Sequence, residues 1–175
     1  MLARRLIPTA FLAAALVAIA LPTLADDADT GPTKLTPLQI GQIFCISRVG
    51  NDMAPVEAII TPSLKQAIAK ADALNAAWEK KNPNEKPPLG DGLPWQASPD
   101  YTANCTATGS ATTGKDARID INYALPDDPA GNYTDVLELK GIFDSGIGDD
   151  VWRIDDVLFA DKSTMRQQMV DAFKP

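Results

Sequence analysis

Alternation of period two in the last third of the chain constrains the fold more than any other feature. Ala117, Ile119, Ile121 and Tyr123 take turns with Arg118, Asp120 and Asn122. Leu137, Leu139 and Phe143 fall on one side of segment 136–143, and Glu138 and Lys140 on the other. Segment 151–159 follows, and the Thr-rich stretch 105–113 adds a shorter strand. A period of two sends successive side chains to opposite faces, the mark of half-buried strands. The connections Pro126–Asn132 and Asp144–Asp150 are built from Pro, Gly, Asn and Asp, residues that favour turns. The pattern is a meander of strands with one apolar face.

The first half reads as helical. Thr36 is an N-cap with Pro37 at the first helical position, and Gly50-Asn51 ends the helix. Leu38, Gly41, Cys45 and Val49 share a face, broadened by Ile40, Phe44 and Ile46. A short helical turn from Asp52 directs Val56, Ile59 and Ile60 inward. Thr61-Pro62-Ser63 repeats the cap-plus-proline start. Leu64, Ala67, Ile68, Ala71, Leu74 and Trp78 then form an apolar stripe expected to lie across the sheet. Residues 80–98 hold four prolines and two glycines, which exclude regular structure over most of the segment. Trp95 in its middle is expected to anchor this long connection or to line a ligand mouth. A closing helix takes Ser163 as N-cap and repeats Met165, Met169 and Phe173 on one face.

Residues 1–25 read as a secretory leader. Arg4 and Arg5 precede an uncharged run, and Thr23-Leu24-Ala25 offers small residues before Asp26. The expected organisation is a signal peptide over 1–25, a disordered arm over 26–35 and a single α+β domain over 36–175. The expected compartment is the bacterial periplasm or the exterior. The leader holds two of the 16 basic residues and none of the 23 acidic ones, so the mature chain is more acidic than the whole, whose net charge is −7. Such a charge disfavours nucleic acid and anionic lipid surfaces as partners. Cys45 and Cys105 are the only cysteines. In an oxidising compartment they are expected to form one disulfide, which would stabilise the fold by roughly 4 kcal/mol.

The segment Val151-Trp152-Arg153-Ile154-Asp155-Asp156-Val157-Leu158-Phe159 is the most distinctive stretch. On a regular strand, Trp152, Ile154, Asp156 and Leu158 share a face. A carboxylate among apolar side chains resists ionisation and can act as an acid or base. The structural alternative is that Asp156 caps backbone or pairs with an arginine.

With its helical first half, strand meander, Trp152–Asp156 motif and Thr61-Pro62-Ser63-Leu64 helix start, the chain resembles the nuclear transport factor two-like superfamily. It is most similar there to small exported bacterial proteins of unknown function. The resemblance spans roughly residues 36 to 173. It implies an α+β fold: N-terminal helices packed on a curved antiparallel sheet, a cone with a pocket, and a short C-terminal helix. Isomerase members use an Asp base with Tyr or acid donors in the cone; this chain offers Asp156 with Tyr101, Tyr123 and Tyr133. Many dehydratase members rely on His, and this chain has none.

No nucleotide-binding glycine motif and no nucleophile elbow occurs, and no His is present for the usual transition-metal sites. The pairs Asp127-Asp128, Asp149-Asp150 and Asp155-Asp156 match no calcium loop, and strand neighbours point to opposite faces. No metal or cofactor is expected. The leading expectation is an exported non-catalytic module that binds a small apolar ligand or an exported protein, with Trp95, Tyr123, Trp152 and Asp156 lining its pocket. The alternatives are an acid/base isomerase or lyase using Asp156 and a Tyr, and an inhibitor or immunity protein for a basic exported partner.

Overall fold

The computed structural model describes residues 34–98 and 104–174. The expected leader, most of the polar arm and Tyr101 lie outside the described residues. Helix α1 spans Pro37–Gly50. Thr36 accepts from the Gln39 amide while the Gln39 side chain accepts from the Thr36 amide, a reciprocal cap. Asn51 closes the helix in the left-handed region, at φ 52°. The short helix α2 covers Ala54–Glu57, and α3 covers Pro62–Lys81 behind its Thr61 cap. Strands β1 (Asn104–Thr113), β2 (Asp116–Ala124), β3 (Tyr133–Asp144) and β4 (Asp149–Leu158) follow. Helix α4, Met165–Asp171, closes the described chain. Its cap is Thr164, which accepts from the Gln167 amide, rather than the expected Ser163.

The strands form one antiparallel sheet in the order β1-β2-β3-β4. Each pairs with its sequence neighbours, and β1 and β4 remain separate edges. The sheet is open and uncurled, so the expected cone is absent. The resemblance to the cone-forming superfamily therefore does not survive. Two-residue-period strands and short turns dictate an antiparallel meander, but nothing in that pattern dictates closure.

One face of the sheet is apolar. Ala117, Ile119, Ile121 and Tyr123 from β2 and Leu137 and Leu139 from β3 are all buried, as the alternation requires. Helix α1 lies on this face against β1 and β2. It comes close because Gly41 has no side chain: a β-carbon there would sit 2.7 Å from Ile119 Cγ2 and 2.8 Å from Ala107 Cβ. A disulfide joins Cys45 of α1 to Cys105 of β1, with Cα atoms 5.1 Å apart. Closing a loop over 60 positions restricts the unfolded chain and stabilises the fold by roughly 4 kcal/mol.

Helix α3 does not lie across the sheet. It packs against β4 and α4, and of its stripe only Leu64 and Ala71 are fully buried while Leu74 stays exposed. The cause is the chain just before it. Thr61 donates its amide to the Ile154 carbonyl at 2.8 Å, and the Ile154 amide donates to the Ile59 carbonyl at 2.9 Å. This parallel bridge fixes the start of α3 at the outer edge of β4.

The opposite face of the sheet carries charge. Arg118 pairs with Glu138 at 2.6 Å, Lys140 pairs with Asp116, and Lys115 pairs with Asp150 at 2.8 Å. A sheet with one buried and one solvated face is the usual antiparallel outcome.

Candidate functional site

The sequence nominates Asp156, and the structure gives it a structural post. The β3–β4 register shifts between Glu138 and Leu139: Glu138 faces Asp156 while Leu139 faces Ile154. Asp155 is the extra residue of a β-bulge, and a bulge reverses the alternation beyond it. Ile154 and Val157 consequently share the buried face, and Asp156 turns to the other face with Glu138. The expected common face of Trp152, Ile154, Asp156 and Leu158 does not exist.

Asp156 is only 7% exposed. Its Oδ1 accepts from the Val157 amide at 2.9 Å and the Arg166 amide at 3.2 Å, in the first turn of α4. Arg166 Nε lies 3.6 Å from Asp156 Oδ2. The same arginine donates from Nη2 to the Asp155 carbonyl at 2.8 Å and to Asp155 Oδ1 at 3.0 Å. Thr61 donates its hydroxyl to Asp155 Oδ1 at 2.7 Å. The two aspartates thus lock the starts of α3 and α4 to the bulge of β4. Burial raises the Asp156 carboxyl above its ordinary range, and the amides, Thr164 and Arg166 oppose that.

A second carboxylate, Asp135, lies on the buried face and is fully inaccessible. Asp135 Oδ2 accepts from the Ala97 amide, and its Oδ1 from the Ala160 amide, both at 2.9 Å. It therefore ties the long connection after α3 to the segment after β4. Burial pushes its carboxyl up, and the two amides offset this only in part. Its position was readable: Asp135, Leu137 and Leu139 are spaced by two, and the inner face of β3 begins one step before the expected strand.

Around Asp135 the structure gathers aromatic and polar groups. Tyr123 stacks on Tyr133 with ring centroids 4.7 Å apart. Burial, reinforced by Asp135 and Tyr133, keeps the Tyr123 phenol neutral far above its ordinary value, and the Arg48 guanidinium opposes this. Arg48, in the last turn of α1, donates from Nε at 3.0 Å and Nη2 at 2.6 Å to Gln96 Oε1. Gln96 donates in turn to the Ser98 carbonyl at 2.7 Å. Trp95, 4% exposed, meets Phe44 edge-on at 6.4 Å. The tryptophan anchors the long connection to α1.

Of these groups, Arg48, Trp95, Gln96 and Ser98 border a cavity of about 330 Å³. Arg48, Asn51, Asp91, Trp95, Gln96 and Gln168 are among the residues that line it. Asp91 is engaged by Lys86 at 2.6 Å. The wall therefore offers an aromatic surface, a guanidinium and three side-chain amides.

Of the four residues expected to line a pocket, Trp95 borders this cavity, and Tyr123 is buried in the core stacked on Tyr133. Trp152 does not: it pairs with Gly141, eight positions along β3 from Tyr133, about 26 Å away on an extended strand. Asp156 faces the other side of the sheet. Arg48, Asn51, Gln96 and Gln168 were missed because they are drawn from the end of α1, the long connection and α4, which are distant in the chain and share no sequence motif.

Among the described residues, no group of three or more Cys, Asp or Glu is placed to hold a metal ion. No helix among them is long and apolar enough to cross a membrane. Compared with described protein families, with curated proteins and with solved structures, the chain matches none.

Proposed function

We propose that this chain is an exported, non-catalytic binding module whose ligand enters the cavity beside Arg48. The observation that carries the reading is convergence: Arg48 and Asn51 from the end of α1, Trp95 and Gln96 from the long connection and Gln168 from α4 meet at one cavity. Polar groups converging on a concave site can fix a small ligand's orientation there. The guanidinium favours a ligand with an anionic end, and the indole favours an apolar body. This sharpens the expectation of a purely apolar ligand.

The roles of the two buried carboxylates support binding over acid/base chemistry. Asp156 caps α4 and pairs with Arg166, and both Asp135 oxygens are held by backbone amides behind the cavity wall. The Cys45–Cys105 disulfide supports an oxidising, extracytoplasmic compartment. The test is native mass spectrometry of untagged protein expressed with its own leader and recovered from a bacterial periplasm. The expected result is a co-purified small mass in the wild type that is lost in Arg48→Met. A bare wild-type chain that also fails to take up added benzoate, an aromatic carboxylate, overturns the reading.

A further inference from the structure

The two edges of the sheet are treated very differently. The outer edge of β4 is covered at its middle by the Ile59–Thr61 bridge to Ile154, and at its C-terminal end by the Phe159 amide donating to the Ser163 carbonyl at 2.9 Å. The strand also carries Asp149, Asp150, Arg153, Asp155 and Asp156. Coverage and charge are the ordinary protections of a sheet edge.

Among the described residues, nothing but β2 pairs with strand β1, and the strand itself carries no charge. Its sequence NCTATGSATT also contains no proline. The bulge at Gly109 interrupts its C-terminal half and leaves Asn104–Thr108 in unbroken register. Beside that half, α1 exposes Ile46, at 73%, and Val49. These two residues, with Cys45, Gly50 and Asn104–Thr106, border a largely apolar hollow on the same edge.

We infer that β1 is the seam of a two-fold dimer, pairing antiparallel with β1 of a second copy about Thr106. Three observations select a second copy. The first is charge: the whole chain is acidic, yet α1 and β1 together contain no Asp or Glu and only Arg48 as a charge. This strip is where two acidic molecules can meet without opposing carboxylates. The second is symmetry. A two-fold axis normal to the sheet pairs β1 antiparallel with itself and places both copies of α1 on one face, so the Ile46–Val49 patches meet across the seam. The third is register. Centring on Thr106 opposes Thr106 to itself, Asn104 to Thr108 and Cys105 to Ala107, all small and uncharged, and Thr–Thr pairs are favourable across strands.

Sedimentation equilibrium of the purified, oxidised chain tests this. The expected wild-type mass is twice that of the monomer. Thr106→Lys sets two ammonium groups opposite each other at the axis, and Ile46→Glu charges the flanking patch; both are expected to sediment as monomers. Thr106→Val is expected to remain dimeric. Circular dichroism and melting temperature check that each variant folds, and both substituted positions are exposed. A wild type that stays monomeric up to about 1 mM overturns the inference. So does a dimer that Thr106→Lys and Ile46→Glu leave intact. A monomer that instead captures an extended strand of another protein overturns it as well.

Discussion

Asp135 and Asp156 are both buried, both raised by burial and both held by backbone amides, yet they serve different corners of the molecule. Asp156 lies in a conspicuous motif and braces two helix starts against a bulge. Asp135 sits in an inconspicuous turn-to-strand junction and carries the back wall of the cavity. A carboxylate that stands out in a sequence stands out because of its neighbours; what it does is set by which amides reach it. Here the conspicuous one has an arginine partner, and the inconspicuous one has an aromatic pair and a cavity beside it.

The largest effect that separates the two corners is expected from removing the disulfide. Cys45 lies one turn before Arg48, so the bond fixes the cavity end of α1 to β1. Replacing both cysteines by serine is expected to lower the unfolding free energy by roughly 4 kcal/mol. Hydrogen exchange is expected to rise around Arg48 and Gln96 and to stay unchanged in α4; equal loosening at both corners breaks the comparison.

Asp135→Ala comes next. It leaves the Ala97 and Ala160 amides without their acceptor, at about 1–3 kcal/mol each before relaxation. Urea unfolding and exchange at residues 94–98 read the effect. The pH dependence has a definite sign. Because the folded carboxyl is raised above its ordinary value, the protonated form is favoured in the folded state. The contribution of Asp135 is therefore greatest at and below the ordinary carboxylate pKa and falls as pH rises to the raised value. Measured upward from about pH 3, wild type is expected to lose stability relative to Asp135→Asn as pH rises from the ordinary carboxylate value to the raised one, and to run parallel to it beyond.

Asp156→Asn keeps one acceptor for the Arg166 amide, and Arg166 retains Asp155. Its expected cost is about 1–2 kcal/mol, confined to α4 and the start of α3. Ligand uptake is expected to be unchanged, and a loss of uptake would move the site to the Asp156 corner. The smallest effect is expected on the charged face. Arg118→Ala removes an exposed pair with Glu138 and is expected to change stability by less than about 0.5 kcal/mol.

Much of the fold is legible in the sequence because its signals are local. Thr36-Pro37 and Thr61-Pro62 mark helix starts, Asn51 marks a helix end, and Ala117–Tyr123 places a strand and its buried face. What escapes reading depends on contacts distant in the chain. The bulge at Asp155 is a matter of register with β3, and it reverses the face of Asp156. The position of α3 follows from the bridge between Ile59–Thr61 and Ile154, which no amphipathic stripe encodes. Sheet closure is a property of the two edge strands, so a resemblance built on element order implies a cone that these strands do not form. The cavity draws Arg48 from a helix, Gln96 from the long connection and Gln168 from the last helix. Only Trp95 announced that corner, as a large aromatic residue stranded among prolines and glycines.

The proposed function puts the ligand at the Arg48 corner and not at the motif around Asp156. The most direct measurement is a titration of the ¹⁵N-labelled, oxidised protein with benzoate, followed by NMR. Saturable shifts are expected at the Trp95 indole N–H and at the side-chain amides of Asn51, Gln96 and Gln168, all abolished by Arg48→Met. Shifts centred on Asp155, Asp156 and Arg166, or shifts that survive Arg48→Met, would contradict this placement.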